Sequence, residues 1–203
     1  MKHTCTLLFL LTCSSISFAQ ILYGLKGGVH LSDIAITNYI NPDVEEDYSL
    51  KAGIHGGIFL SADVAEKVRL SSELQYSKRG VNAIENINLH YISLSLLPQY
   101  RFADRFWIEF GPELGYLVSA TSKYGNVSNV WNNKLDIGLD AGVQTEVSDK
   151  ITVGIRYYAG FSSVIDAGES RDINNNPTGE TIKYQNTALQ LSIYFTIGRK
   201  DFE

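Results

Sequence analysis

The sequence predicts an all-β protein, an eight-stranded antiparallel up-and-down transmembrane β-barrel. Three observations predict it. First, Leu135 to Val147 alternates apolar and polar residues throughout, turns over Ser148, Asp149 and Lys150, and alternates again from Ile151 to Phe161. Period-two alternation puts Leu135, Ile137, Leu139, Ala141 and Val143 on one strand face with Ile151, Val153, Ile155, Tyr157 and Phe161 beyond the turn. Second, similar alternating stretches recur along the chain, joined by connections that are short and long in turn. Third, the apolar face continues across each short turn. A slip of one residue would swap the faces, and Val64 opposite Val68, Phe102 opposite Phe106 and Val147 opposite Ile151 all avoid it.

The strands are expected over 21–33, 51–64, 68–80, 88–102, 106–119, 134–147, 151–163 and 185–198. A tilted transmembrane strand needs about 9–11 residues, so each is long enough to cross a bilayer. Three-residue turns are expected at 65–67, 103–105 and 148–150. The connections 34–50, 81–87, 120–133 and 164–184 are longer and rich in Asn, Asp and Gly. The fourth strand carries Ile92, Leu94, Leu96, Pro98, Tyr100 and Phe102 on its apolar face. The fifth carries Ile108, Phe110, Pro112, Leu114, Tyr116 and Val118, and the last carries Leu189, Leu191, Ile193, Phe195 and Ile197. The second strand carries Ile54, Ile58, Leu60 and Val64. The third is weaker, with Val68, Leu70, Ser72, Leu74 and Tyr76.

Residues 1–19 read as a secretory signal, leaving one barrel domain over 20–203. Lys2 and His3 form the basic start, residues 7–11 the apolar stretch, and Ser17-Phe-Ala19 a small-x-small cleavage site before Gln20. Cleavage there removes both cysteines, Cys5 and Cys13, and with them any disulfide. Lipidation at Cys13 ranks below simple cleavage, because Leu11-Thr12 is a poor lipoprotein signal. The net charge of −5 argues against nucleic-acid binding, which uses a basic patch. No apolar run after the signal is long enough for a transmembrane helix.

A charged barrel face cannot meet lipid, since Arg or Lys at the bilayer midplane costs about 2–4 kcal/mol. The apolar face therefore points outward in a membrane barrel, whereas a soluble ligand-binding barrel would invert it. The turn and loop asymmetry favours the membrane. So do two aromatic girdles, Tyr23, Tyr100, Phe102, Phe106 and Phe195 near the turn end, and Tyr76, Tyr116, Tyr157 and Phe161 further up.

Several stretches carry a family resemblance. They are Gly24-Leu-Lys-Gly-Gly-Val-His-Leu-Ser32, Gly53-Ile-His-Gly-Gly-Ile-Phe59, Leu74-Gln-Tyr-Ser-Lys-Arg-Gly80, Tyr91-Ile-Ser-Leu-Ser-Leu-Leu-Pro-Gln-Tyr-Arg-Phe102 and Phe110-Gly-Pro-Glu-Leu-Gly-Tyr-Leu117. In this order, and with the 135–161 hairpin, they resemble the porin-family, or PorT-type, small outer-membrane β-barrels of Gram-negative bacteria. The resemblance implies an outer-membrane location and eight strands, and no shared enzymatic activity. It also implies contact with outer-membrane lipid and with the barrel-insertion machinery. Such barrels end on an aromatic residue, for which both Phe195 and Phe202 are candidates.

The polar face is expected to form a charge-paired lumen of Lys26, Arg69, Glu73, Arg79, Arg101, Glu109, Glu113, Asp136, Asp140 and Arg156, with Glu146 a further inward acid. An eight-stranded barrel is just wide enough for side chains to fill, and buried charges must be paired. The hairpin registers place Asp140 diagonal to Arg156, and Arg101 diagonal to Glu109. Inward glycines, such as Gly28 and Gly53, make room for these side chains. His30 and His55 point inward on adjacent strands and read as lumen residues, since no nucleophile or oxyanion site accompanies them. His90 falls at a strand start. The acidic stretch Asn41 to Asp47 lacks calcium-loop spacing, and no metal site or cofactor is expected. The expected function is a non-enzymatic structural or adhesion-like role through extracellular loops, with 34–50 and 164–184 as the contact surface for a protein partner. An accessory role in a secretion or transport assembly, a small-solute pore and a rim-site enzyme are the other readings.

Overall fold

The structure, a computed structural model, describes residues 20–37, 50–82, 86–131, 133–172 and 176–200. The expected signal segment, both cysteines, the acidic stretch 41–47 and Phe202 lie outside the described residues. The described strands are β1 (Gln20–Thr37), β2 (Lys51–Ala65), β3 (Val68–Asn82), β4 (Asn86–Ala103), β5 (Phe106–Ser122), β6 (Gly125–Asn126), β7 (Leu135–Ser148), β8 (Ile151–Gly160), β9 (Asp166–Arg171) and β10 (Pro177–Lys200). Eight of them, all but β6 and β9, form an antiparallel ring in chain order that closes where β1 pairs with β10. Closure removes the open sheet edges that lipid cannot satisfy.

The alternation has become two faces. Val29, Leu60, Leu74, Leu94, Leu114, Ile155 and Leu191 are exposed on the outside, while Lys26, Glu73, Glu109, Asp140 and Arg156 are buried inside. This excludes the soluble inverted barrel, whose apolar side chains would line the interior. Both aromatic girdles face outward as expected.

The short turns depart from expectation by one residue. Each has two residues, Glu66-Lys67, Asp104-Arg105 and Asp149-Lys150, preceded by a register shift in the strand before it. The residues skipped by the pairing are Val64, Phe102 and Val147. A bulge raises the local right-handed twist and brings the strands into a tight turn. It does so here without reversing the faces, since Val64, Phe102 and Val147 all remain exposed outside.

The segment 164–184 is not all loop. β9 pairs with the first part of β10, forming a hairpin that continues past the ring, with Gly168 and Gly179 at positive φ. On its other edge β9 pairs with no strand among the described residues.

An apolar cluster sits at the loop end. Ile34, Leu89, Tyr91, Leu117 and Ala120 from the strands pack with Trp131 and Val164 from the loops, and Val127, Ile165 and Tyr184 lie against them. Backbone bonds tie the loops down: Val127 N–H donates to Ala120 O at 2.9 Å, and Val164 N–H to Tyr184 O at 2.9 Å. The Asn133 side-chain amide adds a bond to Ser163 O at 3.0 Å. A smaller cluster of Leu22, Phe59 and Tyr194 lies nearer the turn end.

Candidate functional site

Between the two apolar clusters lies the polar interior. Arg156 on β8 is its centre. Its Nη1 and Nη2 donate to Glu73 Oε2 and Oε1 at 2.8 and 2.9 Å, and its Nε donates to Glu109 Oε1 at 2.7 Å. Its Nη2 also lies 3.0 Å from the Tyr194 hydroxyl. Lys26 Nζ donates to Glu73 Oε2 at 2.7 Å. Glu109 Oε2 accepts from Gln99 at 3.0 Å and from Gln144 at 2.6 Å. The guanidinium fork suits this arrangement, because it reaches two carboxylates at fixed geometry.

A second group lies toward the loop end. Arg79 donates to Glu113, stacks 4.4 Å from the Tyr158 ring centre, and comes within 3.7 Å of Asp136. Asp136 accepts from Asn186 at 2.7 Å and from Ser162 at 3.1 Å. The Ser95 hydroxyl sits between Glu113 at 3.2 Å and Asp140 at 3.1 Å. Among the described residues the buried interior holds three cations, Lys26, Arg79 and Arg156, against five carboxylates. The two in excess, Asp136 and Asp140, take their short hydrogen bonds from neutral donors instead.

Eight of the ten residues expected in the lumen are therefore buried there. Arg69 and Arg101 are not. Arg69 is partly exposed at the turn end, where it binds Asp63 at 2.6 Å and Glu146 at 3.1 Å and stacks 4.2 Å from the Trp107 ring centre. Arg101 bonds the Glu66 carbonyl and stacks on Trp107 at 5.2 Å, rather than reaching Glu109. A long side chain at the strand end keeps its charge nearer water, where desolvation costs less than in the lumen. The Asp140–Arg156 contact is present, but at 3.8 Å it is electrostatic attraction without a hydrogen bond.

His30 and His55 stack with ring centres 5.7 Å apart. Each faces a glycine in the β1–β2 register, His30 with Gly53 and His55 with Gly28. A Cβ at Gly53 would come 2.4 Å from His30 Nε2, so only glycine leaves room for the ring. His30 Nε2 donates to Lys78 O at 2.9 Å, and His55 Nε2 lies 2.8 Å from Ser192 Oγ. His90 is instead outside the barrel, bonded to the Tyr76 hydroxyl at 2.6 Å. Sequence reasoning missed Tyr91, Asn186 and Tyr194 as interior partners. Strand parity could have placed Asn186 and Tyr194, both on the side opposite Leu189 and Phe195.

A closed eight-strand ring with an apolar exterior and a charged interior marks a membrane barrel. A family model for the outer membrane protein beta-barrel domain matches residues 18–166. The chain belongs to that family. The outer-membrane barrel is also similar in fold to two crystal structures. One is Neisserial surface protein A, at 10% identity and a TM-score of 0.53, covering 86% of this chain and 97% of that one. The other is Ail, the attachment invasion locus protein of Yersinia pestis, in complex with the heparin analogue sucrose octasulfate. It is 11% identical with a TM-score of 0.50, covering 88% of this chain and 99% of that one. No curated protein matches the chain at a significant level. In outer-membrane barrels the short turns face the periplasm and the long loops face outward. The turns at 66–67, 104–105 and 149–150 are thus periplasmic, and the Trp131 cluster lies at the extracellular end.

Proposed function

We propose that this outer-membrane barrel is closed to solutes and acts through its extracellular loops as a non-enzymatic adhesion or interaction protein. The apolar cluster at the outer mouth carries this reading. Trp131 and Val164 are loop residues, yet they are as buried as strand core, which supports loops packed over the mouth. Below them Lys26, Glu73, Arg79, Glu109, Glu113 and Arg156 are ion-paired with one another across the ring, and a solute would have to displace these pairs. The outer end also presents a partner-ready element, the β9–β10 hairpin. The outer edge of β9, which pairs with no strand among the described residues, offers backbone groups to an incoming strand. Ail, with its recorded role in attachment, is a barrel of similar fold, which favours adhesion over an accessory role in secretion.

Two measurements test this. In planar bilayers the purified protein is expected to show no steady conductance, and large, stable open channels would overturn the closed-lumen reading. Cells displaying the barrel are then compared with cells in which residues 168–179 are replaced by a short Gly-Ser turn. Attachment to host cells or to neighbouring bacteria is expected to fall to background in the second set, with heat-modifiable gel migration intact. Attachment equal in both sets would refute a role for the hairpin.

A further inference from the structure

The two ends of the barrel differ: an apolar cluster packs the outer one, and the inner one is hollow. A cavity of about 280 Å³ opens at the periplasmic mouth. Its deep wall includes Leu22, Phe59 and Tyr194, with the two rings edge to face at 5.6 Å. Most of its polar lining is already committed. Ser61 and Ser71 bond each other at 2.8 Å, Gln99 and Gln144 donate to Glu109, and Arg69 is held by Asp63 and Glu146.

What remains is mainly donors. Arg105 and Arg199 line the mouth and form no ion pair with any described residue. Trp107 lies beside the cavity, cross-strand from Gln144 and stacked with Arg69. It is 3% exposed, and its indole N–H has no hydrogen-bond partner among the described residues. Among the described residues Asp149 is the one lining acid without an ion pair, and the two arginines outnumber it. Two guanidiniums at the mouth, set above an aromatic wall, match an anion whose body is apolar.

We propose that this cup is a periplasm-facing binding site for a small organic oxyanion, a carboxylate or phosphate carried on an apolar body. The ligand's charge meets Arg105 and Arg199, and its apolar part rests against Phe59 and Tyr194. The volume sits at the lower end of the range for small-molecule pockets, which limits the ligand to a compact molecule. The site is independent of the outer loops and of whatever they contact.

The chain contains two tryptophans, and they sit at opposite ends of the barrel, Trp107 by the cup and Trp131 in the outer cluster. Labelling with 5-fluorotryptophan therefore yields two fluorine resonances, assigned with Trp131→Phe. The probe is phenyl phosphate, titrated into the full-length barrel in non-ionic detergent. The Trp107 resonance is expected to move saturably, with a dissociation constant of about 1 mM or lower, while the Trp131 resonance stays still. Benzyl alcohol, which keeps the ring without the charge, is expected to leave both unmoved. The double variant Arg105→Ala/Arg199→Ala should weaken binding at least tenfold, and higher ionic strength should weaken it in the unaltered protein. No saturable shift at Trp107, equal shifts at both tryptophans, or an affinity indifferent to both the arginines and salt would overturn the proposal.

Discussion

Replacing Arg156 by methionine is expected to remove about 3–5 kcal/mol of stability, the range seen when one partner of a buried ion pair is lost. Arg156 satisfies Glu73 through both terminal nitrogens and Glu109 through Nε. Without it, Glu73 keeps only Lys26 among its short ion pairs, and Glu109 keeps two neutral amides. Both carboxylates are buried, so neither can turn to water. Domains of ordinary stability have about 5–15 kcal/mol in all, so this single change removes a large share of it. Reversible urea unfolding in lipid vesicles, followed by the heat-modifiable gel shift, measures the loss. Arg156→Lys should fall between the two, because an ammonium keeps the charge but cannot present the fork that reaches two carboxylates. An Arg156→Met barrel with an unchanged unfolding midpoint would show that the lumen charges contribute nothing to the fold.

A cationic residue on the opposite face should show how deep that face lies. Leu94 is 51% exposed and sits cross-strand from both Leu74 and Leu114, within the apolar band. Leu94→Arg is expected to cost roughly 2–4 kcal/mol if this level is the bilayer midplane. His90 lies four residues along the same strand, nearer the outer rim, where it bonds Tyr76. His90→Arg should cost only about 0–1 kcal/mol, as expected for a cation near the interface. The difference between the two variants is the diagnostic quantity, because both add the same charge to the same strand. Equal effects, measured by unfolding in the same vesicles, would contradict a lipid-facing band centred on Leu94.

Much of this molecule was legible without coordinates, and the reason is the period of two. Once Val68 and Val64 must share a face, so must Leu74 and Leu60, and the same rule runs through each short hairpin. Leu94 outside and Glu73 inside follow from counting. The bulges at Val64, Phe102 and Val147 did not follow, because a bulge shifts pairing by one residue without altering the apolar pattern that announces the strand. The length of β10 was also hidden. Its first residues, from Pro177, pair with the irregular strand β9 rather than with a strongly alternating partner.

The site was legible by face and not by partner. Alternation assigned Glu73 and Arg156 to the interior, but they are 83 residues apart, and only the closed ring brings them within 2.8 Å. Arg101 has the right parity for the lumen, yet its place at a strand end lets it reach the Glu66 carbonyl and the face of Trp107. Trp131 carries no periodic signal at all, since it belongs to a loop, and only packing reveals it as part of the outer cluster. The sequence by itself determined the strand order, the two faces and the membrane setting, because local sterics enforce alternation residue by residue. Tertiary structure alone decided which charge meets which, which end carries an apolar cluster and which end holds a cavity, because those contacts join strands that are distant in the chain and meet only when the barrel shuts.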